Sequence, residues 1–302
     1  RISITITPAS NAVAYVLPRT ASGGSGGVVS TISVSAGLTN ARIYLAGYDS
    51  ASNYIGDVSN YVYVTNGIGF VSSVGLLGAT NTFFDFIGHD FTASGSSVLI
   101  SNISSGYQTN LPVTVGLGAV SSVRLRSDTN NSATLPTTNY SADGIHPLYA
   151  LGFDVATNYI GGVAGVWSKS GGMGNFVGAT NGVNSISFDG VNAAATGRID
   201  FVYSALITNF VTNITVSVGA LARVEIQNTT AGLDFALATN LTTSTPLTNY
   251  AVGYDGDSNL ISNVSGIWTV SGGVGTNEVG TSTNRNIFRG TANGLGNLGI
   301  SS

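Results

Sequence analysis

The stretch Gly253 to Gly275, GYDGDSNLISNVSGIWTVSGGVG, decides how the chain folds, because it occurs three times. The other copies are GFDVATNYIGGVAGVWSKSGGMG, Gly152 to Gly174, and GYDSASNYIGDVSNYVYVTNGIG, Gly47 to Gly69. Their aspartates, Asp49, Asp154 and Asp255, stand 105 and 101 residues apart. Solenoid rungs recur every ~20–50 residues and cannot bury their own apolar faces. A block of about one hundred residues can, so the period is that of a domain. It predicts three domains: 1–104, 105–208 and 209–302.

Working outward from that stretch, each copy is entered by a strand carrying apolar and aromatic residues, RIYLAGYD, PLYALGFD or TNYAVGYD. A turn follows, closed by Asn53, Asn158 or Asn259, since Asp and Asn bend the backbone by bonding nearby amides. Val62, Trp167 and Trp268 then hold equivalent places in the next strand, where an indole's large area anchors a sandwich core. A glycine-rich corner leads to FFDFIG, SISFDG or NIFRG, and each unit ends on a final strand, SSVLIS, GRIDFVY or GNLGIS. The alternating opening RISITITP recurs in LPVTVGLGAV and NITVSVGALA and is read as the first strand of each unit. Segments 102–110 and 204–213 then read as joints between domains.

Helical periodicity is absent, and forty-one glycines with abundant Val, Thr and Ser oppose it. The fold class is all-β, with short strands and turn signals every 8–12 residues, the pattern of an immunoglobulin-like sandwich. The opening ITITP strand, the AxGYDxxxN turn, the following Trp, the glycine corner and the final strand resemble the bacterial immunoglobulin-like repeats of surface proteins, the invasin and intimin stalk families among them. That resemblance implies three tandem sandwiches in an extracellular, non-enzymatic surface or filament protein. Many stalk repeats carry more charge than this chain, which favours close packing against copies.

Charged residues make up 8% of the sequence, where ~25% is usual. With a net charge of −4, little electrostatic repulsion separates one copy from another. The nine arginines and the single Lys169 are scattered through an acidic chain, which excludes a nucleic-acid footprint. Cysteine is absent, so neither disulfides nor thiolate metal sites hold the fold. No apolar run reaches the ~18–20 residues of a membrane-spanning helix. A chain that starts at Arg1 reads as secreted after signal removal, or as a piece of something longer.

Asp255, Asp257 and Asn259 match the opening of a calcium loop, but the distal glutamate is missing and the other two copies lack the middle carboxylate, so an Asx turn explains them equally well. No other cofactor is expected. His89 near Asp85 and Asp90, and His146, have no repeated partners and do not make a catalytic set. Tyr61 and Tyr63 are read as facing the core, with an outward sugar platform as the alternative. Seven sequons, at Asn102, Asn130, Asn139, Asn213, Asn228, Asn240 and Asn263, are of the number that a chain this rich in Asn, Ser and Thr produces by chance.

The functional expectation is an extracellular structural protein that self-assembles into a filament, pilus-like fibre or surface layer, with copies of itself as partners. Ile2, Ile4 and Ile6, or Leu298 and Ile300, are the candidate assembly residues, because alternating edge strands extend a neighbour's sheet. The rival expectation is an adhesin stalk or carbohydrate-binding array that meets surface glycans. An enzyme is not expected.

Overall fold

The structure is a computed structural model that describes residues 2–5, 12–37, 40–71, 81–89, 91, 95–102, 104–131, 139–205, 207–231, 240–243, 245–278 and 282–301. Those residues are all-β, with no helix. The first repeat runs β1 (Tyr15–Arg19), β2 (Ile32–Ser35), β3 (Asn40–Tyr48), β4 (Tyr54–Asp57), β5 (Tyr61–Val64), β6 (Gly69–Val71), β7 (Phe83–Gly88), β8 (Ser97–Ser101) and β9 (Gln108–Gly116). One sheet has the order β1-β3-β7-β6 with β4 on β3, and the other has the order β2-β9-β8-β5. Between them lies a core of Val16, Ile32, Leu45, Phe84, Phe86 and Ile100, each at most 2% exposed. This is the two-layer immunoglobulin-like arrangement that alternating strands dictate, each burying one face.

The second repeat runs β10 (Ser122–Arg126), β11 (Asn139–Ser141), β12 (Ile145–Phe153), β13 (Tyr159–Gly162), β14 (Gly165–Ser170), β15 (Gly174–Val177), β16 (Asn181–Val183), β17 (Ser185–Gly190), β18 (Thr196–Ser204) and β19 (Ile207–Ser217). Its sheets follow the orders β10-β12-β17-β15 and β11-β19-β18-β14-β16. The third has β20 (Arg223–Gln227), β21 (Pro246–Tyr254), β22 (Leu260–Asn263), β23 (Ile267–Val270), β24 (Gly275–Asn277), β25 (Arg285–Gly290) and β26 (Leu298–Ser301). Its first sheet, β20-β21-β25-β24, repeats the order of the others, whereas the second holds only β23 and β26 among the described residues. The chain forms two compact units, Arg1–Arg124 with Leu151–Gly161, and Leu125–Ala150 with Gly162–Ser302.

Pairing corrects one sequence expectation. LPVTVG and NITVSV do not open the second and third repeats. They lie in β9 and β19, which hydrogen-bond to β8 and β18 and run parallel to β2 and β11. Each is thus the closing strand of the preceding repeat. Segments 102–110 and 204–213 are accordingly hairpin connections with the adjoining strand residues, and the expected start points 105 and 209 fall inside those hairpins. The alternation was read correctly, but period two cannot say which neighbour a strand will pair with.

The N-terminal expectation changes for a related reason. Residues 2–5 form no strand, and Ile2 and Ile4 are 91% and 79% exposed. Ile6 lies outside the described residues.

The buried anchors of the middle strands are as expected. Val62, Trp167 and Trp268 are 7%, 2% and 5% exposed. In the third repeat, however, Asn249 opposes Asn286 where the others oppose Ile43 with Phe84 and Leu148 with Ile186. Both asparagines are fully buried, and neither the oxygen nor the nitrogen of the Asn249 amide has a hydrogen-bond partner. Unpaired buried amides cost stability, so this pair lowers the stability of the third core.

Candidate assembly site

The three Asp-x-x-x-Asn turns share one backbone device. Each aspartate accepts the amide of the asparagine four residues on, at 2.8 Å for Asp49, 2.9 Å for Asp154 and 2.7 Å for Asp255. The residue before the asparagine adopts positive φ: Ser52 at 66°, Thr157 at 68° and Ser258 at 72°. In each repeat an arginine of the first strand lies over the aromatic ring preceding the aspartate, Arg19 on Tyr48, Arg124 on Phe153 and Arg223 on Tyr254. Cation–π contact of this kind covers the outer face of the ring. The sequence reading missed it, although an arginine in the first strand of all three repeats was there to be noticed.

In two copies the turn also ties one repeat to the next. Asp154 accepts from the amide of Gly118 at 3.1 Å, while the Asn158 side chain donates to the carbonyl of His89 at 2.8 Å. Asp255 likewise accepts from Gly219 at 2.9 Å, and the Asn259 side chain donates to Val191 O and accepts from Ala193 N. Asp143 adds contacts to the amides of Ala220 and Gly256. The receiving loops are built alike, since His89, Val191 and Thr291 donate their amides to Ile68, Met173 and Val274 of the glycine corners. In the first repeat Asn53 is exposed and its described side-chain bond is to Asp49 alone, whereas Asn158 and Asn259 are half-buried.

These contacts surround the calcium candidate Asp255, Asp257 and Asn259. The Asp255 carboxylate meets four N–H donors, from Gly219, Asp257 and both nitrogens of Asn259. A hard cation needs lone pairs turned toward it, and those of Asp255 face amides. Among the described residues no group of three His, Asp or Glu side chains has metal-holding geometry.

Electrostatics follow from the donors. Hydrogen bonds from Asn53 hold Asp49 below the usual carboxylate range. Burial works against the charge of Asp154 and Asp255, but the glycine and asparagine donors outweigh it and both also titrate low. Asp257 is pushed up by burial and by Asp189, Asp255 and Asp143. A lowered folded-state value means stability that is complete above the unfolded value near pH ~4 and is lost as pH falls through the folded one. Asp257 acts in the opposite sense. With three groups against one, urea midpoints are expected to be flat from about pH 8 to 5 and to drop below about pH 4; Asp255→Asn is expected to flatten that acid limb. An acid limb unchanged by the substitution would remove the carboxylate from this role.

The remaining candidates separate. Asp85 is held by Arg42 through two bonds of 2.7 Å, not by His89, and Asp90 lies outside the described residues. The His146 ring packs 4.7 Å from Tyr140. Tyr61 and Tyr63 do not face the core, as was expected of them. Val62 does, so its two neighbours stack on the outer face with centroids 6.3 Å apart. Asn102 is buried and bonds to Ser59 and Ser105, which removes that sequon from the surface. Leu298 and Ile300 lie in β26, antiparallel to β23 with Trp268 opposite Ile300.

Among solved structures the chain resembles bacterial immunoglobulin-like adhesins. The Escherichia coli adhesin FdeC aligns over 98% of this chain and 94% of its own, at 12% identity and a TM-score of 0.40. Yersinia pseudotuberculosis InvD aligns over 97% and 83%, at 15% identity and a TM-score of 0.32. Invasin, a bacterial integrin-binding protein, aligns over 94% of this chain and 56% of its own, at 12% identity and a TM-score of 0.31. The sequence matches no protein-family model and no curated relative. The assignment of the fold rests on the strand orders above.

Proposed function

We propose that the chain is an extracellular structural protein, three immunoglobulin-like sandwiches in series, whose copies associate into a filament or surface layer. The observation that carries this reading is the incomplete second sheet of the third repeat. Among the described residues β26 pairs only with β23, and its outer row of backbone donors and acceptors is open to another chain. Low charge density removes the usual guard on such an edge. The Asp–Asn clamps support a passive role, because they spend polar side chains on fixing one repeat to the next. The function is assembly and not catalysis, and the chain acts at the cell surface or outside the cell.

Size-exclusion chromatography with light scattering tests the proposal over a range of concentrations. Oligomers growing with concentration, and fibres or sheets in negative stain, are expected. A species that stays monomeric at the highest concentration reached would favour the second reading, an adhesin stalk or glycan-binding array. The stacked Tyr61–Tyr63 pair on the outer face of β5 is the feature that recommends that reading, since paired aromatic faces suit sugar rings.

A further inference from the structure

The assembly reading becomes specific when the three second sheets are compared. In the first repeat β9 lies between β8 and β2, and in the second β19 lies between β18 and β11. The third repeat has the counterpart of β8 and β18, which is β26, but no strand is paired beyond it among the described residues. The counterpart of β2 and β11 is the segment 240–242, and it too is in no strand. Among the described residues no strand lies between them.

Burial agrees with that gap. Val98 and Ile100 of β8 and Ile199 and Phe201 of β18 are 0–1% exposed, whereas the equivalent Leu298 and Ile300 are only half-buried. On the other side Val34 and Tyr140 are buried, and their counterpart Leu241 is half-buried. The slot is apolar, flanked by the edge of β26 and by residues 240–242.

The same chain carries a segment shaped to fill it. ISITI, residues 2–6, aligns with LPVTV, 111–115, and with TNITV, 212–216, including the threonines Thr5, Thr114 and Thr215. Leu111, Val113 and Val115 are the inward residues of β9, and Ile214 and Val216 those of β19. Ile2 and Ile4, at the matching positions, are the exposed isoleucines of a segment with no pairing of its own among residues 2–5.

We propose that residues 2–6 of one copy complete the third repeat of a second copy, entering between β26 and residues 240–242 as the closing strand. This deepens the assembly reading and rests on it. Main-chain hydrogen bonds supply the adhesion and the alternating isoleucines supply register, as in other strand-addition complexes. The pairing of β8 with β9, Val98 opposite Leu111 and Ser97 opposite Pro112, sets Leu298 opposite Ile2 and Asn297 opposite Ser3. Because the donor and the slot are different surfaces of the same chain, the contact is heterologous and extends as an open, polar polymer.

The test uses the absence of native cysteine. Ser3→Cys and Asn297→Cys are made in separate full-length chains, which are mixed and oxidised. A disulfide-linked pair containing one of each is expected, with Thr5→Cys plus Asn297→Cys as a misregistered control that links at least tenfold less. Removing residues 1–8 is expected to abolish polymer, and moving them behind Ser302 through a short Gly/Ser linker to yield monomers with raised stability of the third repeat. Fibres that form without the Ser3–Asn297 link, or that persist after the deletion, overturn the strand exchange while leaving assembly standing. A link found only within single doubly substituted chains, or a third repeat already closed by chain following residue 302 in a longer product, also overturns it. The absence of any oligomer removes both readings.

Discussion

Replacing Asp255 by alanine is expected to destabilise the third repeat by about 3–5 kcal/mol, since orphaning one buried donor costs ~1–3 kcal/mol and this carboxylate receives several. The side chain is fully buried, and its two oxygens accept from Gly219, Asp257 and both nitrogens of Asn259. Alanine leaves those four N–H groups facing a void. Partial hydration of the exposed Asp257 side of the turn keeps the cost below the full sum. Because Gly219 N and Asn259 also connect repeats, the variant is further expected to release the amides of Gly219 and Ala193 to rapid hydrogen exchange. Asp49→Ala should have a smaller effect, as Asp49 has donors only within its own turn, from Ala51 and Asn53, among the described residues. Urea unfolding of the three chains decides it. A loss below about 1 kcal/mol for Asp255→Ala would mean that the clamp is solvated and structurally idle.

The second large effect is expected from Trp167→Ala, about 3–5 kcal/mol, the usual range for an aromatic deleted from a packed core. The indole is 2% exposed, lies edge-on to Phe201 with centroids 4.9 Å apart, and donates its N–H to the carbonyl of Val183 at 3.3 Å. Deletion removes dispersion contacts, the aromatic pair and one hydrogen bond together. The first repeat has Val62 at this place with Ile100 as its cross-strand partner, where Trp167 has Phe201. A valine at 167 would therefore still leave a cavity against Phe201. The sequence has two tryptophans, so Trp268 fluorescence in the variant reports the third repeat alone while circular dichroism follows the whole chain. Coincident early loss of both signals would show that the second repeat's collapse propagates; a loss of less than ~1.5 kcal/mol would show that the site repacks.

Much of this fold was legible beforehand because its signals are local. The Gly-aromatic-Asp stretch, the positive-φ turn residue and the alternating runs each depend on a few neighbouring residues, and all recur where the strands β3, β12 and β21 end. What misled was assignment of LPVTVG and NITVSV to the start of a unit. A strand's pattern records that one of its faces is buried, and says nothing of whether the burying sheet comes before or after it in the chain. Tyr61 and Tyr63 are a different case, because Val62 between them, expected inward like Trp167 and Trp268, already puts both neighbours on the outer face by the period of two.

The candidate site was half legible. Asp255, Asp257 and Asn259 stood out as oxygen-rich, yet their meaning depended on Gly219, 36 residues away, and on Val191, 68 away from Asn259. No spacing rule reports that an amide will fill a carboxylate's lone pairs. By itself, then, the order of residues determined the repeat, the all-β class and the turn chemistry, since these follow from backbone preference and periodicity within short windows. Only the tertiary structure decided which sandwich each closing strand completes, which aspartates clamp a joint, and which edge is left open among the described residues, because those depend on pairings between residues far apart in the chain, which local preference does not encode.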